Sequence, residues 1–454
     1  MKVLLVYLAF VDSEELSPYA LRKYVSAKNA RLSLEYLSAV LKEGEVDSEI
    51  IDQSISGFSL KDLIGTIKTS KYLFVGFYSN RLLVDKLIQY ARAIRDECDT
   101  LLVVGGPGSI EAKKLIENGY DIVCHGEGEE VVVDIVDYVS GRIHLEDIKG
   151  ISYSSDGIIK TNTSRQLIAN LDEIPFPSRD KITMRYYNDH YLPMLKRPYA
   201  VMMASRGCPY RCIYCFSHCW WQDTYRFRSV DNVIKEVEHV VKHYGVRYII
   251  FRDDIFGCQY EWMEEFCFAL IRKNYNVGWM CNFYPRAFPD NKLEEIISLM
   301  KKAGCNFIHL GLPSTNAGIL KKISRPVSEP IAVENIINIV KKNKIFVVLE
   351  FILGLPGESR DSILENIQYV KKVKPHLVNY NPLGIEPLTA LERLYSHDRV
   401  CEFSTDEIEA WCRYAMKKFY LNGANVFKPL ICILKENPLW FMNSYRFLDL
   451  LKPH

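Results

Sequence analysis

Four of the 13 cysteines in this 454-residue chain lie within twelve residues, in the stretch RGCPYRCIYCFSHCWW. Their spacing is C-x3-C-x2-C with a further x3-C, at Cys208, Cys212, Cys215 and Cys219. No apolar run reaches the ~20 residues that span a bilayer, and the apolar N-terminus has no small-residue cleavage site. We therefore expect a cytoplasmic protein without membrane spans, in which disulfides are rare and clustered thiols serve as ligands.

The spacing of these cysteines allows three kinds of site. A structural zinc ion needs four ligands, usually in two separated pairs, and only Cys212 and Cys215 have the x2 spacing. A ferredoxin-like cluster would take Cys219 as its fourth ligand, but that pattern normally runs x2, x2, x3 and then proline, whereas Trp220 follows here. In the third alternative, three thiolates hold a [4Fe–4S] cluster and leave one iron open for a substrate or cofactor.

The elements around the cysteines predict a βα barrel. Between residues 199 and 382, six strand-like runs alternate with helical stretches, and the cysteines follow the first run. Active sites of βα barrels lie at the carboxyl ends of the strands, which is where the cysteines fall. The pattern therefore indicates a partial (β/α)6 barrel with strands at 200–205, 248–252, 278–283, 307–311, 346–352 and 377–381.

Residues 1–140 also alternate strand-like runs with amphipathic helices. Five strands, four intervening helices and one trailing helix favour an α/β, doubly wound (flavodoxin-like) parallel sheet. Ligands of such sheets bind beyond the carboxyl ends of the strands, and three of these ends carry small and polar residues. They are Ser79 and Asn80 after the third strand, Gly105, Gly106, Pro107 and Gly108 after the fourth, and Gly126, Glu127 and Gly128 after the fifth.

Four segments are expected along the whole chain. A hairpin around Asp156-Gly157 and a proline-rich extended stretch follow the first domain, and the aromatic-rich C-terminal segment has helical periodicity. The segments are 1–140, the doubly wound domain; 141–198, a linker or strap with a hairpin; 199–385, the partial barrel; and 386–454, a small helical cap. The formal net charge of +1 provides no global attraction to nucleic acid, which is therefore not expected as a partner.

The cysteine motif, its place after the first barrel strand and the aromatic Tyr214 before the last ligand resemble the radical S-adenosylmethionine (SAM) superfamily. The resemblance implies that Cys208, Cys212 and Cys215 hold a [4Fe–4S] cluster, that SAM binds the open iron, and that Cys219 is not a ligand. It also implies SAM-binding residues near the strand ends: Tyr214, Asp253, Asp254, Arg286 and Gly311. On the residues alone, the two aspartates could equally cap the following helix, and Arg286 could be a surface residue.

Residues 1–385 resemble, more narrowly, the cobalamin-binding radical SAM enzymes. The glycine loop at 105–108 and the segment beginning at Gly126 are similar to their cobalamin domain, so the resemblance makes the strand-end residues of the first domain candidate cobalamin ligands. No histidine stands after the first strand to ligate cobalt, and the first histidine of the chain is His125. In the barrel, Pro313 replaces a usual glutamate and Arg325 a usual lysine. The alternative is a flavodoxin-like domain that only supports the barrel.

The resemblance implies an enzyme that cleaves SAM reductively to a 5′-deoxyadenosyl radical, which abstracts hydrogen from a small-molecule or peptide substrate. The commonest chemistry of the subgroup implies cobalamin-dependent methylation of an unactivated carbon, in the biosynthesis of a natural product or modified metabolite. Rearrangement, cyclisation, dehydration or oxidation without methyl transfer is one alternative, and a non-enzymatic iron–sulfur or cobalamin redox sensor is another. The expected cofactors are a [4Fe–4S] cluster, SAM and cobalamin, with an external electron donor of the flavodoxin or ferredoxin type. The sequence assigns no further catalytic residue.

Overall fold

The computed structural model describes residues 1–9, 31–179, 196–395 and 400–421. Two compact units divide the chain, Met1–His190 and Tyr191–His454. Each unit is built around its own sheet, which confirms the predicted α/β class. Within the described residues, every helix is too short or too polar to cross a membrane.

Seven strands form the sheet of the first unit, in the order β2-β1-β3-β4-β5-β6-β7. Strands β1 to β5 pair in parallel, and their order 2-1-3-4-5 is that of a doubly wound, flavodoxin-like sheet. The interior strand β1 is buried from Val3 to Val6 because helices cover both faces of such a sheet. The strands are β1 (Lys2–Tyr7), β2 (Asp47–Asp52), β3 (Val75–Tyr78), β4 (Leu102–Gly105), β5 (Ile122–Cys124), β6 (Ile151–Ser155) and β7 (Ile158–Thr161).

The helices of this unit follow from local signals in the sequence. Helix α3 begins with a capping box, in which Ser59 and Asp62 each accept a backbone N–H of the other. Helix α4 buries Leu87, Ala91 and Ile94, which share one face at helical spacing. The helices are α1 (Leu32–Glu43), α2 (Gln53–Ser56), α3 (Leu60–Thr69), α4 (Val84–Glu97), α5 (Ala112–Glu117) and α6 (Glu129–Val139).

The predicted hairpin is present, but it belongs to the first sheet. Asp156 and Gly157 both have positive φ, as a two-residue hairpin turn requires. Strand β6 pairs antiparallel with β5, so that Ile151 lies opposite Cys124. The boundary expected at residue 140 therefore does not separate the hairpin from the sheet, because β5 offers an open edge whose backbone groups need partners.

Six parallel strands form the main sheet of the second unit, in the order β15-β14-β13-β12-β11-β8. Four of the five neighbouring pairs in this order are consecutive along the chain, as the predicted βα repeats require, and the fifth pair, β11 and β8, is separated in sequence by β9 and β10. The strands are β8 (Tyr199–Met202), β9 (Ser205–Gly207), β10 (Tyr225–Phe227), β11 (Tyr248–Phe251), β12 (Gly278–Phe283), β13 (Cys305–Gly311), β14 (Phe346–Leu353) and β15 (Leu377–Pro382).

Helices connect these strands. Helix α8 shows the local logic, because Ser229 caps its first turn and Gly245, at φ +64°, ends it in the left-handed conformation. Its buried Val233, Val237 and Val240 share one face. The helices are α7 (Ser217–Trp220), α8 (Val230–Tyr244), α9 (Tyr260–Lys273), α10 (Leu293–Lys302), α11 (Ala317–Lys322), α12 (Glu329–Lys342), α13 (Arg360–Val373), α14 (Ala390–Leu394) and α15 (Thr405–Tyr420).

An aromatic cluster fixes the carboxyl end of β11. The rings of Phe251, Phe256, Trp262, Phe266 and Trp279 pack with centroids 4.3 to 6.0 Å apart. Aromatic pairs of this kind each add about 0.5–1.5 kcal/mol beyond the burial of their area. Because Phe256 belongs to this aromatic cluster, the packing fixes the loop after β11, which carries Asp253 and Asp254.

The described part of the predicted C-terminal cap is helical. Helix α15 packs on strand β15, where the Tyr420 hydroxyl lies 2.9 Å from the Val378 carbonyl oxygen, to which it donates. The aromatic residues predicted beyond position 421, including Trp440 and Phe441, lie outside the described residues.

Candidate functional site

A two-stranded ribbon closes the loop that carries the cysteines. Strands β9 and β10 pair antiparallel, with Arg206 opposite Arg226. Gly207 has φ +94°, and a Cβ at this position would lie 2.0 Å from the carbonyl oxygen of Thr224. Glycine is thus required directly before Cys208, and the ribbon fixes both ends of the loop.

Cys208, Cys212 and Cys215 form one electrostatic group. Burial raises the pKa of Cys208 to about 11 and that of Cys215 to about 12, and the Cys212 thiolate adds to both shifts. Within the loop, the backbone N–H of Cys215 donates to the carbonyl oxygen of Cys212 at 3.0 Å, which closes a turn between these two cysteines. The Cys208 and Cys215 thiols are thus held protonated until a metal displaces their protons.

Cys219 lies apart from the other three. Its thiol donates to the carbonyl oxygen of Leu388 at 3.3 Å. Burial raises its pKa, and the nearby charges that act on it are those of Arg393, Asp223 and Glu392 rather than those of the other cysteines. Within the described residues, no three His, Cys, Asp or Glu side chains converge as ligands of a single metal ion. The thiolates of a cluster differ in this respect, since each binds a different iron.

The two aspartates after β11 have different surroundings. Asp253 is buried, and its Oδ1 accepts from the Ala204 N–H at 2.9 Å and the Ser205 hydroxyl at 2.6 Å. Burial raises its pKa to about 7, while those hydrogen bonds oppose the rise. Asp254 is exposed, accepts from the Ser217 hydroxyl at 2.7 Å, and contributes to the raised pKa of Cys208. Asp253 thus anchors the first barrel strand, and Asp254 faces the cysteine loop.

The other predicted SAM residues lie in the cysteine loop, after β12 and at the end of β13. Tyr214 packs on an apolar cluster that includes Ile319 and Leu355. Gly311 ends β13, and among the described residues a Cβ there would meet no atom within 4 Å, so its surface is open. Arg286 is exposed and donates to the Ser328 hydroxyl at 3.0 Å, at the start of α12. Tyr214 and Asp254 therefore adjoin the cysteines, whereas Arg286 lies toward α12.

Arg325 contacts the cysteine loop, which its place in the sequence did not indicate. One terminal nitrogen donates to the Cys212 sulfur at 3.5 Å, and the other donates to the Gly311 carbonyl oxygen at 3.0 Å. The side chain also forms an ion pair with Glu329 through both carboxylate oxygens. The signal in the sequence was the basic residue that the family usually has as lysine, but nothing local placed it beside a cysteine 113 residues away.

A polar group on the inner face of the barrel was also missed. Asn379 donates to Oε1 of Glu350 at 3.1 Å, and Nδ1 of His309 lies 3.4 Å from the same oxygen. Glu350 shares a strand face with Ile352, and Ile352 and Tyr214 pack against the same apolar cluster. The side chains of His309 and Glu350 remain 22% and 38% exposed, although barrel interiors are usually filled by branched apolar residues. The signal was the presence of polar residues within three largely apolar strands.

The glycine loop of the first unit packs against the end of β3. A Cβ at Gly106, where φ is +103°, would lie 2.6 Å from the Ser79 carbonyl oxygen, and one at Gly108 would lie 2.9 Å from that of Asn80. Ser79 is buried and donates to the Gly105 carbonyl oxygen through its hydroxyl at 3.0 Å. These residues therefore hold two loops together. Pro107 begins the short 3-10 turn that follows.

One polar atom at this edge has no partner among the described residues, the buried Oδ1 of Asn80. After the fifth strand, a Cβ at Gly126 would meet no atom within 4 Å among the described residues, whereas one at Gly128 would lie 3.1 Å from the Leu37 side chain. The Glu127 carboxylate accepts from the Ile168 N–H at 2.7 Å. Asn80 and Gly126 are thus the predicted residues that leave an acceptor and a free surface for a ligand.

His125 is already engaged by the hairpin. Its Nε2 lies 2.8 Å from the Ser152 hydroxyl, which in turn lies 2.8 Å from the Thr161 hydroxyl. Burial lowers the pKa of the ring, so it stays neutral. The residues after the first strand, at 10–16, lie outside the described residues.

Residues 202–370 match the Radical SAM superfamily. The chain is 28% identical over 377 residues to an uncharacterized methyltransferase of Pyrococcus horikoshii, and the match covers 82% of this chain and 79% of that protein. It is 27% identical over 358 residues to the anaerobic magnesium-protoporphyrin IX monomethyl ester cyclase of Rubrivivax gelatinosus. That match covers 76% of this chain but only 62% of the cyclase, less than two thirds of its length.

Among solved structures, the radical S-adenosylmethionine methyltransferase TsrM from Kitasatospora setae, with cobalamin and a [4Fe–4S] cluster bound, aligns with a TM-score of 0.69. The alignment covers 86% of this chain and 75% of TsrM at 16% identity, so the similarity is one of fold. The matched segment contains the cysteine loop, the ends of β11 to β14 and Arg325. Residues 202–370 thus form a radical SAM domain.

Proposed function

We propose that this chain is a cobalamin-dependent radical SAM enzyme that methylates an unactivated carbon of its substrate. The observation that carries the proposal is the separation of Cys208, Cys212 and Cys215 from Cys219 within one loop. Three thiolates leave one iron of a [4Fe–4S] cluster for SAM. When bound, the cluster supplies the electron that cleaves SAM to methionine and a 5′-deoxyadenosyl radical, and cobalamin supplies the methyl group.

The residues around the cysteines fit these cofactors. Cys208 and Cys215 give up the protons that burial holds on them, as ligation requires. The Asp254 carboxylate, fixed by Ser217, is proposed to pair with the ammonium group of SAM. Gly311 lets a ligand approach the end of β13 because it has no side chain. The polar group of His309, Glu350 and Asn379 is proposed to orient the substrate by hydrogen bonds.

The carboxyl edge of the first sheet fits a large polar ligand such as cobalamin. Asn80 Oδ1 is a buried acceptor without a partner among the described residues, and a polar atom in that state is stabilised by a donor on a ligand. The open surface at Gly126 lies on the same edge. Ser79 and Glu127 are proposed to hold the loops in place rather than to bind. Cobalamin in the TsrM structure, which has this fold, supports the assignment.

Radical chemistry without methyl transfer is the second candidate function. It is favoured by the similarity to a magnesium-protoporphyrin IX monomethyl ester cyclase, whose name denotes ring closure. The same cysteines and the same SAM site would serve both reactions, so the distinction lies in the products of SAM.

The test is product analysis with the anaerobically reconstituted full chain, cobalamin, SAM and a one-electron reductant. Methylation requires S-adenosylhomocysteine beside 5′-deoxyadenosine, because one SAM gives its methyl group and a second is cleaved. Deoxyadenosine with no S-adenosylhomocysteine would favour the second candidate. Failure to form either product from a loaded cluster would exclude both functions.

The remaining assignments are also proposals. The substrate is a small molecule or a peptide, and the reductant is an external flavodoxin or ferredoxin. A cytoplasmic location suits free thiols that must stay reduced to bind iron, and all twelve described cysteines are free.

A further inference from the structure

Arg325 lies between two parts of the SAM site. It is in the turn between α11 and α12, and its backbone N–H donates to the Leu320 carbonyl oxygen at 2.8 Å, which fixes the main chain. Its guanidinium donates to the Cys212 sulfur at 3.5 Å and to the Gly311 carbonyl oxygen at 3.0 Å. The cation thus touches a proposed cluster ligand and the end of β13 at once.

Glu329 holds this cation in one orientation. Nε of Arg325 donates to Oε2 of Glu329 at 2.9 Å, and a second nitrogen donates to Oε1. The Glu329 side chain is fully buried and that of Arg325 is 10% exposed. The ring of Tyr284 lies 4.9 Å from the guanidinium carbon. A planar fork held by a carboxylate and an aromatic face has little freedom to turn away from the sulfur.

Other charges near the loop are solvated by comparison. The Arg211 side chain, next to Cys212 in the sequence, is 76% exposed and lies 3.4 Å from Asp223. Arg286 is exposed and bonds Ser328. Water and salt screen such charges strongly, whereas a buried charge acts on its neighbours with little screening.

We propose that Arg325 and Glu329 form a buried charge pair that sets the reduction potential of the cluster held by Cys208, Cys212 and Cys215. Reduction adds one negative charge to the cluster, and hydrogen bonds to its sulfurs and nearby charges shift the potential. Arg325 stabilises the reduced form and raises the potential. The Glu329 carboxylate lies behind the guanidinium and lowers the potential. Arg325 is therefore a positioning and tuning residue, and the inference rests on the proposed function only for the presence of a cluster.

The test uses the full chain, anaerobically reconstituted with iron and sulfide and without SAM. The fraction of reduced cluster is followed by EPR as the solution potential is lowered. We expect Arg325→Gln to lower the midpoint and Glu329→Gln to raise it. Each change is expected to alter the ratio of reduced to oxidised cluster about tenfold at a fixed potential, which for one electron corresponds to about 59 mV.

Opposite shifts of the midpoint potential in Arg325→Gln and Glu329→Gln distinguish tuning of the cluster from structural damage. Both substitutions break the same ion pair, so a purely structural role predicts shifts of the same sign or none. Arg325→Lys keeps the positive charge but loses the planar guanidinium with its several N–H donors. The midpoint potential of this variant should lie between those of the wild type and Arg325→Gln. Arg211→Gln is the matched control, because it removes an exposed arginine from the cysteine loop. The ratio of reduced to oxidised cluster should change less than about threefold in this variant.

Iron content and thermal unfolding are measured for each variant. If Arg325→Gln fails to bind iron, Glu329→Gln and Arg325→Lys still test the inference, because the first should raise the midpoint potential and the second should lower it. The inference would be overturned if the midpoint potential shifted in the same direction in Arg325→Gln and Glu329→Gln. It would also be overturned if the shift in Arg211→Gln were as large as that in Arg325→Gln. A wild-type chain that binds no cluster overturns it together with the proposed function. Opposite shifts without any SAM cleavage would support the inference and remove the proposed function.

Discussion

Ser217 donates a hydrogen bond of 2.7 Å from its hydroxyl to Oδ2 of Asp254. The bond joins the helix after the cysteines to the end of the second barrel strand, two segments that are 37 residues apart in the sequence. It holds an exposed carboxylate close to Cys208 and Cys215, whose pKa values are raised by burial and further by this charge. A fixed negative charge beside a cluster site is suited to the ammonium group of SAM.

Replacing Asp254 with asparagine should weaken SAM binding while the cluster remains. Loss of the carboxylate removes a charge-assisted contact, and we expect roughly a tenfold rise in Kd, or about 1.4 kcal/mol. The measurement is a SAM titration of the reduced, reconstituted chain followed by EPR. Ser217→Ala keeps the charge but not its orientation and should show a smaller effect. An unchanged SAM affinity in Asp254→Asn would contradict the assignment.

Replacing Cys219 should leave the cluster in place, whereas replacing any of the other three cysteines of the loop should remove it. Cys219→Ala should keep the iron and sulfide content of the wild type, because the Cys219 thiol bonds to Leu388 and lies apart from the other thiols. Cys212→Ala should lose the cluster. Iron and sulfide analysis with visible absorption after anaerobic reconstitution provides the measurement. Loss of the cluster in Cys219→Ala would instead indicate four-thiolate ligation and an electron carrier.

Asp253 should make folding stability depend on pH. Its pKa is raised to about 7 by burial, from an ordinary value of 3.8, so the folded chain binds this proton more tightly than the unfolded chain does. Between about pH 4 and 7 stability should therefore fall as pH rises, by as much as about 1.4 kcal/mol per unit.

Asp253→Asn keeps an acceptor for Ala204 and Ser205 but cannot ionise, so its stability should be flatter over the same range. Chemical denaturation of the full chain from pH 5 to 8 checks this. Asp254→Asn is the control, because it leaves Asp253 in place and should keep the wild-type slope. Equal slopes in the wild type and Asp253→Asn would refute the prediction.

Two glycines of the first unit should differ in their tolerance of alanine. Gly126→Ala meets no atom within 4 Å among the described residues and carries only the strain of φ +76°, about 1–2 kcal/mol. Gly106→Ala adds a contact of 2.6 Å with the Ser79 carbonyl oxygen to the strain of φ +103° and should destabilise the chain by a few kcal/mol. Thermal unfolding of the two variants compares them. A similar loss of stability in both variants would mean that the loops after β3 and β4 separate easily.

Much of the fold was determined by the sequence. Period-two and period-3.6 patterns, with capping residues such as Ser229 and Gly245, are local signals, so both sheets and most of their connections were predicted correctly. The cysteines were predicted as ligands because their spacing lies within one loop. The resemblance to the radical SAM superfamily, which includes an aromatic residue directly before the last cysteine, predicted Tyr214 as a site residue.

Contacts between distant segments were decided only by the tertiary structure. The hairpin pairs with β5 because that edge was open, although the sequence around Asp156 indicates only a turn. Asp253 and Asp254 are adjacent in the loop after β11, yet they have different surroundings. Asp253 is buried and accepts hydrogen bonds from Ala204 and Ser205, whereas Asp254 is exposed and accepts one from Ser217.

Arg325 reaches Cys212 across 113 residues, and Glu350 meets Asn379 and His309 across two strand pairings. The sequence thus predicted which residues would bind a cluster, and it predicted the elements that carry them. Their partners depended on how the strands pack, because burial and side-chain contacts are set by long-range packing that local periodicity does not encode.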